Sequence, residues 1–337
     1  MEKPDKPINA VRYSVIVPTY NSGHTLTACL QSLTNQTLPK AEYEIIVVDD
    51  GSTDDTATIV AGFEVNYIVQ TNHGPAVARN QGVQHATGEI ILFTDADCVP
   101  DHNWIQEMVR PFQDAEVVGV KGTYKTKQKE LSARFAQAEF EDRYDLLKKH
   151  ATIDMVDTYS AAFRKDIFLK MGGFDESFPV ANNEDTDLSY RLAAAGYKLV
   201  FNPKAFVGHT HQNSLLNYLK LKFWRGYWRM VVYKRYPDKA IQDSYTPAVL
   251  KIQTLLMAIS LAGVPLMLVH PLFLDGLVLL WGIILLSSLP FALKTFKQDK
   301  HVGLIAPGVV FLRSMVFAIG SVCGMAWCIY KDKINLK

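Results

Sequence analysis

"GEIILFTDADCVPDHNW", residues 88–104, is the stretch from which the rest of the chain can be read. Ile90, Ile91, Leu92 and Phe93 form an apolar run without alternation, and it stops at Asp95 and Asp97, two acids separated by one alanine. Apolar side chains on consecutive positions face both sides of a sheet, so the run reads as a strand covered on both faces. Two carboxylates at its end repel one another unless something positive lies between them. Hard oxygen ligands so placed suit Mg2+ or Mn2+, whose other positions go to water and substrate phosphates. The competing reading is a solvated loop whose acid caps a helix starting near His102.

The same pattern recurs upstream. "YSVIVPTY" (13–20), "YEIIVVDDGS" (43–52) and "VNYIVQ" (65–70) read as strands. Between them, "HTLTACLQSLTNQ" (24–36) places Leu26, Cys29, Leu30 and Leu33 on one helical face, and "DDTATIVAGF" (54–63) and "GPAVARNQGVQHA" (74–86) read as further helices. This alternation predicts an α/β fold with a doubly wound, mostly parallel sheet, whose ligands bind beyond the carboxyl ends of the strands. Those ends carry Thr19, Tyr20 and Asn21, then Asp49, Asp50, Gly51 and Ser52, then Asp95 and Asp97. No G-x-G-x-x-G follows a strand and no G-x-x-x-x-G-K-[ST] occurs, which argues against a dinucleotide fold or a P-loop. Phosphates bound here need a metal.

Over 337 residues, 35 basic side chains balance 34 acidic ones, so no polycation for nucleic acid exists. The four cysteines show neither paired metal-site spacing nor a disulfide framework, and a reducing compartment is expected. "MEKPDKPINAVRYS" has no apolar stretch after its charges, so the first domain is expected to stay in the cytoplasm. The last third changes character: residues 252–274 and 276–293 contain no Asp, Glu, Lys or Arg, and runs of this length suit membrane spans. "HPLFLD" between them reads as a tight turn, and Lys294, Lys297 and Lys300 favour the cytoplasmic side. Val302–Tyr330 is long and apolar but holds Arg313, which at the centre of a lone spanning helix costs roughly 2.5–3.5 kcal/mol. Expected there is an interfacial piece to about Leu312 followed by a short third span, or two spans with a re-entrant segment.

One family carries these stretches in the same order. "SVIVPTYNS", "EIIVVDDGSTDDT", "GPAVARNQG", "TGEIILFTDADC", "GGFDE", "NNEDTDLSYRLAAAGYKL" and "VGHTH" resemble family-2 glycosyltransferases of the GT-A fold, over residues 12–235. The resemblance implies that Pro18, Thr19 and Tyr20 line the nucleotide pocket, that Asp50 hydrogen-bonds the base, commonly uracil, and that Arg79 lies near the nucleotide. It places Asp95 near the ribose and metal, makes Asp97 the principal metal ligand, and makes Asp185 the general base, with Glu184 orienting acceptor or donor. Acids in a first helical turn are also favoured electrostatically, the role expected of Asp187. His209 is the implied partner of the metal or diphosphate, with His211 as competitor.

"LLNYLKLKFWRGYWRMVVYKRYP" (215–237) holds six cations and no acid, and reads as an interfacial helix meeting anionic headgroups or a lipid phosphate. Processive relatives often carry Q-x-x-R-W there; Arg225 matches the Arg and is assigned to the donor site, whereas Lys222 and Gly226 replace Gln and Trp. Residues 131–150 read as another helix, with Phe140, Tyr144 and Leu147 on one face.

The expected organisation is a tail (1–11), a GT-A catalytic domain (12–212), interfacial helices (213–248), an all-α transmembrane region (249–330) and a tail (331–337). The expected activity is metal-dependent inverting transfer from a nucleotide diphosphate sugar, UDP-linked, to a lipid-linked or cell-envelope glycan acceptor, at a bacterial-type inner membrane. Its alternatives are a polyprenyl-phosphate glycosyltransferase using a GDP- or UDP-sugar, and a haloacid dehalogenase-type phosphatase with Asp95 as nucleophile and Asp97 as acid.

Overall fold

The computed structural model describes residues 11–178, 183–268, 270 and 272–335; expectations on the N-terminal tail to residue 10, on Asn182 and on Lys337 lie outside them. Two compact units emerge, one of Met1–Lys127 with Leu147–Thr210, the other of Gln128–Leu146 with His211–Lys337.

In the first unit the chain runs β1 (Tyr13–Thr19), α1 (Gly23–Thr34), β2 (Tyr43–Asp49), α2 (Thr56–Val60), β3 (Asn66–Val69), α3 (Pro75–His85), β4 (Ile90–Phe93), β5 (Cys98–Pro100), α4 (Trp104–Val109) and β6 (Val117–Lys125). After α5 (Leu131–Leu147), nearly all of which belongs to the second unit, follow β7 (Ala161–Arg164), α6 (Lys165–Lys170), α7 (Glu184–Ala194) and β8 (Lys198–His209). The eight strands form one sheet in the order β3-β2-β1-β4-β7-β6-β8-β5. Pairs β1–β2, β1–β4, β2–β3 and β6–β8 are parallel, while β7 is antiparallel to β4 and β6, and β5 to β8. The sheet is therefore mostly parallel, as the strand–helix alternation requires, with two reversed strands that local periodicity does not reveal.

Burial explains the unbroken apolar runs: Val15, Ile16, Val17, Ile46, Val47, Val48, Ile91, Leu92 and Phe93 are all fully buried. Leu26, Cys29, Leu30 and Leu33 of α1 bury the predicted face. Behind β4, Phe93 packs against Phe163, Phe168 and Phe174 with ring centroids 5.3–6.2 Å apart. In parallel register Thr19 lies opposite Asp49, and Ile16 opposite Phe93, so three polar strand ends meet at one edge.

The second unit comprises α5, α8 (Leu215–Arg235), α9 (Pro237–Ile241), α10 (Ala248–Gly263), α11 (Leu272–Ser287), α12 (Leu289–Gln298) and α13 (Lys300–Asn335). Ala248–Met267, Leu272–Gln298 and Lys300–Tyr330 are long and apolar enough to cross a membrane. α11 begins at Leu272, so the turn expected over 270–275 is shorter than predicted.

The third apolar segment differs from expectation. It is one continuous helix with no break at Leu312, and its first part packs Val302, Ala306, Val309 and Val310 against Phe135 of α5 and Tyr218 of α8. Arg313 is buried: one guanidinium nitrogen donates to Glu139 Oε1 at 2.6 Å and another to Gln253 Oε1 at 2.6 Å. Pairing, rather than a helix break, offsets the cost of the charge.

Lys222 is likewise buried, donating to Glu139 Oε2 at 2.6 Å, and so does not face headgroups as the cationic run suggested. Burial pushes the Glu139 carboxyl up, but Lys222, Arg313 and Arg143 outweigh it and hold the group ionised. The departure from Q-x-x-R-W has a packing reason. A Cβ at Gly226 would stand 2.5 Å from the Phe317 carbonyl oxygen of α13, and Cβ atoms at Gly320 and Gly324 would collide with the Phe223 and Tyr227 carbonyls of α8. Glycines let the two backbones approach, as at close helix crossings in membranes.

Candidate active site

At the edge where β1, β2 and β4 end, short polar loops bind one another. Ser52 Oγ accepts from the Asn21 N–H at 2.8 Å, and Asn21 Oδ1 accepts from the Thr53 N–H at 2.8 Å. Asn21 sits at φ 49 and Gly51 at φ 82, left-handed conformations that the tight turns demand. Asp49 accepts from the Ser52 N–H at 2.8 Å and from the Tyr67 hydroxyl at 2.5 Å. Asp50 is buried and accepts from Gln70 Nε2 at 2.6 Å and from the His73 and Gly74 N–H groups at 2.9 and 2.8 Å. Its carboxylate thus shapes the β3–α3 turn, a task the sequence did not disclose. Pro18 lies within β1, Thr19 is buried beside it, and Tyr20 projects with its side chain half exposed.

Arg79 organises the centre. Fully buried on α3, it donates to Asp95 Oδ1 and to Glu184 Oε1, both at 2.8 Å. Its neighbour Asn80 exchanges two hydrogen bonds with the Phe174 backbone, at 2.9 and 3.0 Å. On α7, Asp187 pairs with Arg191 at 2.9 Å, and Arg191 also holds the carbonyls of Met171 and Gly173. The motifs "ARN", "GGFDE" and "EDTDL" are therefore one bonded network, which gives Asp187 its helical role. Asp185 Oδ1 accepts from the Thr186 N–H at 2.7 Å, beside the buried Glu184. Burial, and then Asp185, raise the Glu184 carboxyl to about 7 against the opposing pull of Arg79. Thr19 Oγ1, Thr94 Oγ1, Arg79 Nε and Glu184 Oε2 are buried without a hydrogen-bond partner, and such atoms along one edge call for a ligand.

A second cluster joins β5 to β8. Antiparallel register sets Cys98 opposite His209. His209 Nδ1 lies 3.7 Å from Asp97 Oδ1, Cys98 Sγ 3.7 Å from the same oxygen and 3.8 Å from the same nitrogen. The His209 ring stacks on Tyr124 at 4.2 Å. Burial raises Asp97, but hydrogen bonding and charge from His209 outweigh it and hold the carboxyl below its usual range. Burial, with Asp95 and Asp97, pushes the Cys98 thiol well up. Three donor atoms so close fit a divalent cation.

The geometry sorts the sequence candidates. Asp97 and His209 come together; Asp95 turns to Arg79 and does not join this cluster. His211 belongs to the second unit, hydrogen-bonded to Gln137 at 3.0 Å and stacked on Phe140. Arg225 lies on α8, also in the second unit. Cys98 is a site residue that cysteine spacing along the chain does not reveal; its place directly after Asp97, on a strand, is the available signal.

A family model for Glycosyl transferase family 2 matches residues 14–172, the segment that holds β1 to β7 and Arg79, Asp95 and Asp97. Residues 14–172 are similar to a family 2 glycosyltransferase domain. That match favours the glycosyltransferase reading over the phosphatase alternative raised by "TDADC". Glycosyltransferase AglE of Haloferax volcanii is 29% identical over 198 residues, 56% of this chain and 63% of that protein. The pre-mycofactocin glycosyltransferase of Mycobacterium tuberculosis is 28% identical over 237 residues, 67% and 48% respectively. The chain thus spans less than two thirds of the length of these curated relatives. Mannosyltransferase PcManGT from Pyrobaculum calidifontis, solved with GDP-Man and Mn2+, shares the fold with a TM-score of 0.61 at 22% identity, over 95% of this chain and 88% of that one.

Proposed function

We propose that this protein is a membrane-anchored, inverting glycosyltransferase. It takes a sugar from a nucleotide diphosphate sugar and passes it to a lipid-linked or cell-envelope glycan acceptor. The observation that carries this reading is the strand-end edge itself: Arg79 ties Asp95 to Glu184, next to Asp185, and Asp97 and His209 converge on one point. In this mechanism the Tyr20 ring and Asp50 receive the base, Thr19 lines the pocket, and Arg79 holds Asp95 and Glu184 in fixed relation. Asp185 takes the proton of the acceptor hydroxyl, whose oxygen attacks the anomeric carbon opposite the diphosphate and expels it. Asp97 and His209 would hold a divalent cation, Mn2+ or Mg2+, which would supply positive charge to offset that of the leaving diphosphate.

Membrane anchoring is supported by the three long apolar helices. Two observations support an orientation. α5 lies between β6 and β7 along the chain, and Lys294 pairs with its Asp142 and Asp145 at 2.7 and 2.9 Å. In the proposed orientation the first two runs return the chain to the side from which it started, taken as cytoplasmic by the lysine rule.

Thermal unfolding of the detergent-solubilised protein tests the donor assignment. With Mn2+ present, UDP or GDP at about 100 times its dissociation constant should add about 2.7 kcal/mol. The favoured base is the one that stabilises at lower concentration. Lack of any shift with either nucleotide, with or without Mn2+, would remove the basis for a donor site.

A further inference from the structure

We propose that Cys98 is a third protein ligand of the cation held by Asp97 and His209, so that the site takes a thiophilic, four-coordinate divalent ion of the Zn2+ or Co2+ kind. The inference deepens the function proposed above and rests on its reading of Asp97 and His209 as a cation site.

The donor atoms themselves make the case. Asp97 Oδ1, Cys98 Sγ and His209 Nδ1 form a nearly equilateral triangle with sides of 3.7, 3.8 and 3.7 Å. A tetrahedral ion seated on three corners this far apart lies out of their plane and about 2.3 Å from each, the ratio of edge to bond being about 1.63, close to the Zn–O, Zn–N and Zn–S distances of about 2.0–2.3 Å. An octahedral Mg2+ with bonds of about 2.0–2.1 Å needs neighbouring ligands only about 3.0 Å apart, and it takes oxygen rather than sulfur. The triangle is too wide for that ion and carries the wrong third atom.

The fold holds the triangle in place. Cys98 and His209 face one another in the β5–β8 ladder, so backbone pairing, not side-chain chance, brings sulfur to nitrogen. The Cys98 N–H also donates to the Asp95 carbonyl at 2.9 Å, which fixes the turn carrying Asp97. His209 is clamped against Tyr124, which stacks in turn on Tyr159 at 3.4 Å, so the imidazole plane is set before any ion arrives. Three protein ligands leave a fourth position open, the arrangement of catalytic rather than structural zinc sites, and a donor phosphate oxygen fits it. Binding replaces the Cys98 S–H bond with a sulfur–metal bond and releases the proton to solvent.

The test uses the full chain in detergent, stripped with a chelator and titrated with Co2+, in a background where Cys323 and Cys328 are serine. Expected is a thiolate-to-cobalt charge-transfer band together with the intense visible bands of a four-coordinate ion. Cys98→Ser should lose the charge-transfer band and weaken Zn2+ binding by calorimetry at least tenfold, with Mn2+ binding changed much less. Co2+ bound without a charge-transfer band overturns the proposal even if Cys98→Ser fails to fold, and so does an unchanged spectrum in that variant. In those outcomes Asp97 and His209 still hold a cation and the functional reading stands. Failure of the unsubstituted background to bind Co2+, Zn2+ or Mn2+ at all overturns both.

Discussion

Arg79 shows how much of the site depends on one side chain. It is the counter-charge of both Asp95 and Glu184, and its removal leaves a buried carboxylate unpaired. Asp185 is placed differently: among the described residues its Oδ1 accepts from the N–H and hydroxyl of Thr186, and the proposed mechanism assigns this carboxylate the proton of the acceptor hydroxyl. Asp185→Asn should lower transfer by about 10²–10⁴-fold while nucleotide-induced stabilisation persists, and turnover near the parent value would refute the base assignment. Glu184 carries a pH signature. Its folded-state value of about 7 exceeds the unfolded value of about 4.3, so the folded chain binds the proton more tightly and stability falls as pH rises from about 4.3 to about 7. Glu184→Gln should flatten that slope, an effect of roughly 1–3 kcal/mol, read from thermal midpoints at pH 5 and pH 8. A slope that survives the substitution assigns the titration to another group.

At the scale of elements, β5–β8 and α8–α13 are the decisive pairings. β5 is three residues long, yet its antiparallel pairing with β8 brings together groups 111 positions apart. The α8–α13 crossing depends on Gly226, Gly320 and Gly324. Motif logic alone suggests that Gly226→Trp restores a family feature. Packing predicts the reverse: an indole cannot occupy the space against the Phe317 carbonyl, and overpacking of this kind costs about 1–3 kcal/mol. The variant should unfold at lower temperature in detergent, and an equal or higher midpoint would show that α8 and α13 do not pack in this way.

For the whole molecule, the question is how many times the chain crosses. Lys294 and Asp299 pair with Asp142 and Arg134 of α5, and the proposed orientation starts α13 on the side of α5. On that proposal its apolar length to Tyr330 carries the end to the opposite side, against the charges of Lys331 and Lys333. A reporter active only outside the cytoplasm, fused after Lys337, should be active, whereas one fused within 294–300 should not. Activity of the second fusion, or silence of the first, would replace three crossings with another number.

The sequence by itself determined the doubly wound sheet, the acids at its strand ends and the apolar C-terminal runs, because side-chain period and strand-end punctuation are local properties. It did not contain the reversed strands β5 and β7, which are set by pairing across long separations. Only the tertiary structure decided that His209 rather than His211 meets Asp97, that Asp95 turns to Arg79, and that Cys98 stands with Asp97 and His209. It also decided that Lys222 and Arg313 are buried around Glu139 instead of facing lipid. Charge and hydrogen bonding act over a few ångströms in space, and the partner a side chain meets at that range is fixed by the register of strands and the crossing of helices, not by its neighbours along the chain.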